Sequence, residues 1–288
     1  MNRELIARIG GDEFGALCEC LGVDADGLQA RPLSGGLYSR SVLIRSPNGE
    51  WVVRFPSEGV AGRLDPGEET SLLAELSAWG LSPPPHPAAP DGFVVTRYLA
   101  GARTLTEAEV GDVANMKRIV GVLRKLHTVA FDLPEFRAVP VARSYVDRLD
   151  TDALNPEQAA WAEECLLLAE DFDGHGGPLA LCHNDLVASN LLDDGGLWLI
   201  DFEYAVLADP ILDLASLAAM NGFDDSQCDV LTGLYFRNEP PPFDRTAFFD
   251  AVRLLRLVAY LWALGNRATG SEDTASGAFV ARVAAMLR

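Results

Sequence analysis

The stretch "HNDLVASN", residues 183–190, and the stretch "LIDFEY", residues 199–204, together decide how this chain is interpreted. Between them lies "LLDDGGLWLI", in which two apolar runs flank an Asp-Asp-Gly-Gly turn, a pattern typical of a β-hairpin. A two-residue Gly-Gly loop would place Asn190 directly opposite Asp201 in this hairpin. Opposed residues are close enough for an amide oxygen and a carboxylate to share one hard cation, and Mg²⁺ is the expected occupant.

Phosphoryl transfer accounts for the spacing of these polar residues. The pattern H-x-D-L-x-x-x-N, followed by D-F-x at a strand end, has the form of a kinase catalytic loop and its metal-binding segment. Asp185 would orient the attacking hydroxyl and accept its proton, while Asn190 and Asp201 would hold Mg²⁺ against the nucleotide phosphates. Each residue alone is also common in turns and caps, but four of them in register favour the chemical interpretation.

Composition restricts the possible partners. The chain has 288 residues, with 23 Lys and Arg against 42 Asp and Glu, which gives a formal net charge of −19. This charge argues against nucleic acids and anionic membrane surfaces as partners. The acidity is explained equally well by solubility and by an electrostatic field that attracts a cationic ligand.

The cysteines and the N-terminus predict a cytoplasmic, soluble protein. Five cysteines are scattered without a C-x-x-C pair, which indicates neither a disulfide framework nor a zinc site. The first ten residues, "MNRELIARIG", carry charges where a signal peptide would need an apolar run. No apolar stretch reaches the roughly 18 residues of a membrane span.

The order of predicted elements indicates an α+β fold with two lobes. Residues 31–55 read as a β-hairpin with its turn at Pro47, Asn48 and Gly49, and an amphipathic helix and a strand at residues 93–101 follow. After that strand the chain is mainly helical. We therefore predict a small β-rich N-terminal lobe over residues 1–96, a linker at about 96–101 and a larger helical lobe over 101–288.

With these motifs in place, most of the chain resembles the aminoglycoside phosphotransferase and choline kinase superfamily, also called the phosphotransferase enzyme family. "WVVRFP" resembles its third strand, "FVVTRYLAG" its interlobe linker and "IDFEYAVLADPILDLASLA" its metal segment. "HND" and "IDFEYA" are closer to choline and ethanolamine kinases than to typical aminoglycoside enzymes. The resemblance implies a two-lobed fold of the protein-kinase-like class.

The resemblance also implies a nucleotide site, for ATP or possibly GTP. Arg54 takes the position of the family's phosphate-binding lysine, with Glu69 as its helix partner and Glu68 as the fallback. The remaining implied nucleotide contacts are the backbone groups of Ser34, Gly35 and Gly36 near the phosphates, and those of Arg97, Tyr98 and Leu99 at the adenine edge.

Three further residues receive supporting roles. His183, placed with Asp185 in the catalytic loop, is expected to support that loop by hydrogen bonding and not to act as a general base. Asp213 matches the family's structural aspartate and is expected to cap a helix. His127 ends an apolar helix and is expected to be packed.

The acceptor is expected to be a small molecule, because only seven residues separate Asp201 from the "DP" at 209–210, too few for a phosphorylatable activation loop. Glu203, Tyr204 and Trp262 are the implied acceptor contacts. A quaternary ammonium would need aromatic faces around it. Tyr235, Phe236 and Tyr260 are further aromatic candidates, and core packing explains them equally well.

These features predict an ATP- and Mg²⁺-dependent kinase that phosphorylates a small, cationic amino alcohol such as choline or ethanolamine. An antibiotic phosphotransferase of aminoglycoside type and a regulatory module that binds nucleotide without turnover are the alternatives. The intact Asp185, Asn190 and Asp201 argue against the regulatory module. The oligomeric state stays open.

Overall fold

The chain folds into two compact units in the computed structural model. The structure describes residues 11–24, 28–33, 40–55, 64–87, 89, 92–237, 239–268 and 274–288. The first unit comprises Met1–Leu105 and Ser189–Tyr204, and the second comprises Thr106–Ala188 and Ala205–Arg288. The units differ from the predicted lobes in assigning residues 189–204 to the first, and the lobe boundaries stay a prediction.

The first unit carries most of the β structure. Its elements are α1 (Gly11–Leu21), β1 (Gln29–Pro32), β2 (Arg40–Ser46), β3 (Gly49–Phe55), α2 (Pro66–Ala78), β4 (Val94–Arg97), β5 (Arg103–Thr104), β7 (Leu191–Asp193) and β8 (Leu197–Leu199). Strands β1 to β4 form one antiparallel sheet in chain order, and β5, β7 and β8 form a second sheet.

The second unit is mainly helical. Its elements are α3 (Glu107–Val110), α4 (Val113–Leu126), α5 (Ala138–Val146), α6 (Pro156–His175), β6 (Ala180–Cys182), β9 (Val206–Ala208), α7 (Ile211–Met220), α8 (Asp225–Tyr235), α9 (Arg245–Ala268) and α10 (Thr274–Leu287). Strands β6 and β9 pair with each other in antiparallel orientation. Among the helices described in either unit, none is long and apolar enough to cross a membrane.

The predicted hairpin between β2 and β3 is confirmed. Ser46 pairs with Gly49, so Pro47 and Asn48 form the two-residue turn. The Asn48 side chain donates a hydrogen bond to the carbonyl of Leu21 at the end of α1, 3.0 Å away. Alternate residues of β2 and β3 then face α1. There Phe14 and Leu17 pack in one core with apolar side chains of the sheet.

Helix α2 begins at a complete capping box. The Asp65 side chain accepts hydrogen bonds from the backbone N–H groups of Gly67 and Glu68, and the Glu68 carboxylate accepts one from the Asp65 N–H. Pro66 occupies the first turn, where a missing N–H costs nothing. The helix ends before Gly80, whose φ of +63° is left-handed. This capped helix buries Glu69 together with its apolar face.

The hairpin of β7 and β8 forms, but the predicted pairing of Asn190 with Asp201 is wrong. Leu191 pairs with Leu199, and Asp193 pairs with Leu197. The backbone N–H of Ile200 donates to the Asn190 carbonyl at 3.1 Å. The register is therefore shifted by one residue from the predicted one.

A longer turn causes this shift. Asp194, Gly195 and Gly196 form a three-residue loop in place of the predicted Gly-Gly loop. Gly195 has a φ of +103°, which favours glycine, and its N–H donates to the Asp193 side chain at 2.9 Å. The turn residues predict a hairpin correctly, but they do not distinguish a two-residue loop from a three-residue one.

The core of the second unit lies among α5, α6, α9 and α10. Its buried side chains include Tyr145, Trp161, Leu257, Leu261 and Val283. Helix α7 is buried along nearly its whole length, from Ile211 to Ala219. A helix that is apolar on all sides and buried is held in place by close packing. The few polar side chains of α7 therefore have fixed positions.

The capping box of α2 gives a test of stability. Asp65→Ala is expected to lower the unfolding free energy by about 1 kcal/mol, because two helix N–H groups lose their acceptor. Asp65→Asn is the control and should change it little, since asparagine caps equally well. Thermal unfolding of the three proteins measures the difference, and equal midpoints for Asp65→Ala and the wild type would contradict it.

Candidate active site

An arginine surrounded by three carboxylates is the main electrostatic feature of the first unit. Arg54 on β3 forms an ion pair with Glu69 of α2. Its Nη1 lies 2.6 Å from the Glu203 carboxylate and 3.3 Å from Asp201 Oδ1. Glu68, the predicted fallback partner, is instead part of the capping box. The structure thus gathers four of the predicted site residues around a single guanidinium.

Burial and charge oppose each other in this cluster. Burial acts to lower the pKa of Arg54, but the three neighbouring carboxylates outweigh it and raise that pKa above its ordinary value. Burial raises the pKa of Glu69, and the Arg54 charge only partly offsets this. One cation therefore faces three acidic groups, which leaves the cluster with an excess of negative charge that suits a further cation.

Asp201 has the features expected of a metal ligand. Its Oδ1 atom is buried and accepts no hydrogen bond within the described part of the chain, apart from the longer ion pair to Arg54. Its backbone has a φ of +68°, an uncommon conformation for a residue other than glycine. A buried carboxylate oxygen without a hydrogen bond, in a cluster with more acidic groups than cations, fits a hard divalent cation.

The other proposed metal ligand lies nearby in sequence. Asn190 is buried and ends the short 3₁₀ turn Ala188–Asn190, which leads directly into β7. Glu203 is also buried, and its backbone carbonyl accepts a hydrogen bond from the N–H of Leu64 at 2.7 Å. The Glu203 carboxylate contacts Arg54 in this structure, and its assignment as an acceptor contact stays a prediction.

The predicted nucleotide contacts are only partly described. Ser34, Gly35 and Gly36 lie outside the described residues. The N–H of Arg97 donates to the Pro84 carbonyl at 2.9 Å, and that of Tyr98 donates to the Glu50 carbonyl at 3.0 Å. An adenine edge would therefore have to use the carbonyl groups of this segment or the N–H of Leu99.

In the second unit, helix α7 holds the loop that carries Asp185. The Asp213 carboxylate accepts hydrogen bonds from the N–H of His183 at 3.0 Å and of Asn184 at 2.8 Å. The N–H of Leu186 donates to the hydroxyl of Ser216 at 3.1 Å. The Asp185 N–H itself donates to Nδ1 of His183, 3.2 Å away. Four consecutive backbone N–H groups are therefore held by side chains.

Asp213 thus has a different structural role from the predicted one. It lies in the first turn of α7, where Asp209, not Asp213, accepts a hydrogen bond from the Ile211 N–H. The Asp213 carboxylate points at the loop instead. Ser216 and Asn221 also support the loop, and the Asn221 side chain donates a hydrogen bond to the Leu186 carbonyl at 2.8 Å. No local sequence pattern marks either contact.

A chain of hydrogen bonds extends from Asp213 toward α8. The Nε2 atom of His127 lies 3.0 Å from Asp213, and its Nδ1 atom lies 2.7 Å from the hydroxyl of Tyr235. Because a carboxylate only accepts, Nε2 donates its proton to Asp213, and Nδ1 shares the second hydrogen bond with the Tyr235 hydroxyl. His127 is packed, as predicted, but its partners are 86 and 108 residues away, and no sequence pattern marks them.

This network keeps a fully buried carboxylate charged. Burial acts to raise the pKa of Asp213, but the hydrogen bond and charge of His127, the charge of His183 and the Asn184 N–H together lower it. Asn184 has a φ of +63°, so the loop holds a strained backbone conformation beside Asp185. The hydrogen bond from the Asn184 N–H to Asp213 anchors that conformation.

The same cluster does not have the chemistry of a metal site. His127, Cys182 and Asp213 could approach one ion, but the nitrogen and carboxylate atoms already serve the hydrogen bonds just described. Burial, with the nearby charges of Asp213 and Asp209, raises the pKa of the Cys182 thiol well above its ordinary value. The cluster is a structural network.

The aromatic candidates of the second unit make separate contacts. Trp262 packs edge-to-face against Phe279, and Tyr260 packs edge-to-face against Trp161. Tyr235 contacts His127. These ring contacts belong to the helical core and to the loop network, which favours packing over a cation cage for Tyr235 and Tyr260. The assignments of Trp262 and of the half-buried Tyr204 to the acceptor stay predictions.

Comparison with known proteins places this geometry in a family. The model of the phosphotransferase enzyme family matches residues 29–249. The chain belongs to the phosphotransferase enzyme family. It is 26% identical over 242 residues to "Protein LicA" of Haemophilus influenzae, a match that covers 81% of this chain and 71% of that protein.

Two solved structures are also similar. One is a choline/ethanolamine kinase family protein from Mesorhizobium loti, with 27% identity, a TM-score of 0.73 and coverage of 90% of this chain and 88% of that one. The other is the choline kinase LicA from Streptococcus pneumoniae, with 22% identity, a TM-score of 0.77 and coverage of 96% and 99%. The predicted family, the α+β kinase-like fold class and the prediction of a small-molecule phosphotransferase are confirmed.

The Arg54 cluster gives a test. Arg54→Met is expected to lower the unfolding free energy by about 3 to 5 kcal/mol at neutral pH, because it leaves buried carboxylates without their cation. This loss of unfolding free energy should become smaller as the pH falls into the range where those carboxylates take up protons, because a neutral carboxyl group needs no counter-ion. Arg45→Met is the control, because the exposed pair of Arg45 with Glu50 contributes about 0 to 1 kcal/mol.

Chemical unfolding of both variants over a pH series measures this. Equal losses for Arg54→Met and Arg45→Met, or a deficit that does not change with pH, would contradict the role of Arg54 as the counter-ion of the cluster.

The buried aspartate gives a second test. Asp213→Asn is expected to lower the unfolding free energy by about 1 to 3 kcal/mol near pH 7, because the loop N–H groups and His127 lose a charged acceptor. The pKa of Asp213 lies below its value in the unfolded chain. Its contribution is therefore present above the unfolded pKa and is lost as the pH falls through the folded pKa.

The difference in unfolding free energy between the wild type and Asp213→Asn should thus become smaller below about pH 4. Asp224→Asn, at an exposed helix N-cap where asparagine serves equally well, is the matched control. A gap that is constant between pH 7 and pH 3 would show that the Asp213 charge is not the stabilising feature.

Proposed function

We propose that the protein transfers the terminal phosphoryl group of ATP, with Mg²⁺, to the hydroxyl group of a small cationic amino alcohol such as choline or ethanolamine. The single observation that carries the proposal is the buried Asp201 carboxylate oxygen that accepts no hydrogen bond within the Arg54 cluster, in a chain that belongs to a phosphotransferase family. The similarity to a choline/ethanolamine kinase family protein supports this acceptor class.

Asn190 and Asp201 would hold the metal ion, with Glu203 close by through its contact with Arg54. When bound, Mg²⁺ supplies positive charge to the phosphate oxygens and offsets the charge that develops on them. Arg54, held by Glu69, would donate hydrogen bonds to the same phosphates from a guanidinium that can bind two oxygens at once. The contacts of Arg97 to Leu99 with adenine are part of the same proposal.

Asp185 would act on the acceptor. Its carboxylate accepts the proton of the acceptor hydroxyl as the new oxygen–phosphorus bond forms and the bond to the leaving ADP breaks. Asp213 and Ser216 fix the loop backbone on both sides of Asp185, so the carboxylate does not have to be ordered at each turnover. His183 supports this loop through its bond with the Asp185 N–H.

The charge of the chain supports a cationic acceptor. With a net charge of −19, the protein produces an electrostatic field that attracts cations such as amino alcohols. A cytoplasmic location is proposed on the sequence evidence, and the nucleotide donor is proposed to be ATP, with GTP as the alternative.

An ADP-release assay tests the function. The acceptors are choline, ethanolamine, thiamine, homoserine and several aminoglycosides, each with Mg-ATP and with Mg-GTP. Turnover on choline or ethanolamine is expected, and Asp185→Asn should lower kcat by about 10²- to 10⁴-fold with nucleotide binding retained. Asp194→Asn, which changes an exposed carboxylate in the turn between β7 and β8, should keep full turnover.

Turnover only on aminoglycosides would contradict the proposed acceptor class and would show an antibiotic phosphotransferase instead. An absence of acceptor-dependent release with every compound, despite measurable Mg-ATP binding, would favour the non-catalytic nucleotide-binding module. Unchanged kcat in Asp185→Asn would reject the role of this carboxylate.

A further inference from the structure

The arrangement of cations in the second unit reveals a feature that the phosphoryl-transfer chemistry does not use. Arginines of this unit are generally paired: Arg253 binds Glu164, Arg282 binds the Met220 carbonyl and Arg288 binds Glu157. Among the side chains described in this unit, three cations have neither a hydrogen bond nor an ion pair. They are Lys117, Arg124 and Arg237. In a chain with such an excess of carboxylates, three unpaired cations need an explanation.

All three unpaired cations line one groove. Lys117, Gly121 and Arg124 are spaced by four and three residues on α4, so they lie on one face of that helix. Leu234, near the end of α8, and Arg237 form the opposite side. The groove has a volume of about 340 Å³.

The floor of this groove is open. Apart from the neighbouring residues and the backbone of α4 itself, no atom of the described residues lies within 4 Å of the position that a Cβ atom would take at Gly121. A larger side chain at this position, between Lys117 and Arg124 on the helix face, would fill the space between the cations. The apolar wall is supplied by Val120 and Leu234. The groove thus combines a concentrated positive charge with a small apolar surface.

We propose that this groove binds the phosphate group of a small organic phosphate. Three like charges converging on one concave surface repel each other, and an anion between them removes that repulsion. Guanidinium groups match the oxygens of a phosphate in a two-pronged geometry, and two of the three cations are arginines. The apolar wall would contact the organic part of the ligand.

The volume of the groove and the net charge of the protein both disfavour the binding of larger anions. A volume of about 340 Å³ suits a small molecule. The net charge of −19 repels a long polyanion such as nucleic acid or an acidic protein, because most of its length would lie outside the groove. This proposal is independent of the proposed phosphoryl transfer and does not require that the chain be a choline or ethanolamine kinase.

Calorimetric titration with phenyl phosphate, at low ionic strength and without Mg²⁺ or nucleotide, tests the proposal. The wild type is expected to bind, and the double variant Lys117→Gln/Arg237→Gln should bind at least about tenfold more weakly, because it loses two charged contacts. The matched control is Arg143→Gln/Arg288→Gln, which removes two exposed, paired cations from the same unit. The control should bind as the wild type does.

Two further ligands sharpen the result. Benzoate, with a single charge, should bind more weakly than phenyl phosphate, and a pentaglutamate peptide should not compete. Circular dichroism and thermal unfolding of both double variants check that they fold alike. The proposal is overturned if the wild type gives no binding at millimolar phenyl phosphate, if both double variants bind equally, or if the peptide binds in preference to the phosphate.

Discussion

The geometry of the proposed catalytic loop depends on the hydrogen bonds that the buried Asp213 carboxylate accepts. A fully buried charge is tolerated only when hydrogen bonds and opposite charge compensate it, and here the loop N–H groups and His127 do so. The compensation works in both directions. The loop satisfies the carboxylate, and the carboxylate holds Asn184 in a left-handed backbone conformation next to Asp185. Removing either partner leaves the other unsatisfied.

Arg54 applies the same physical rule with the charges reversed. Its guanidinium is buried on β3 and is compensated by carboxylates from α2 and from the segment after β8. The three carboxylates of this cluster carry more negative charge than the single Arg54 guanidinium neutralises. The excess negative charge, and the Asp201 oxygen without a hydrogen bond, are what distinguish this cluster from an ordinary buried salt bridge. A structural ion pair would be expected to balance.

Arginine in place of lysine also changes what this position can do. A lysine offers one compact charge, whereas a guanidinium has donors on several sides and can contact more than one carboxylate at once. Arg54 uses Nη2 for Glu69 and Nη1 for Glu203. Glu203 is therefore bound to β3 by an ion pair with Arg54. A lysine, with its single ammonium group, would not form this ion pair together with the one to Glu69 in the same way.

The sequence by itself determined the local features of this protein. The spacing of His183, Asp185 and Asn190, the turn at Pro47 and Asn48, and the periodicity of the helices all depend on neighbours within a few residues. Such patterns are readable because turn chemistry and side-chain period act over short distances. They sufficed for the fold class and the family.

Only the tertiary structure decided the contacts between distant segments. Arg54 meets Glu203 across 149 positions, and His127 meets Tyr235 across 108, and neither pairing follows from a local pattern. Even the hairpin register, which places Leu191 opposite Leu199, depended on a single loop residue that composition does not specify. Burial, which decides whether a charge needs a partner, is a property of packing, so the chain order alone could not supply it.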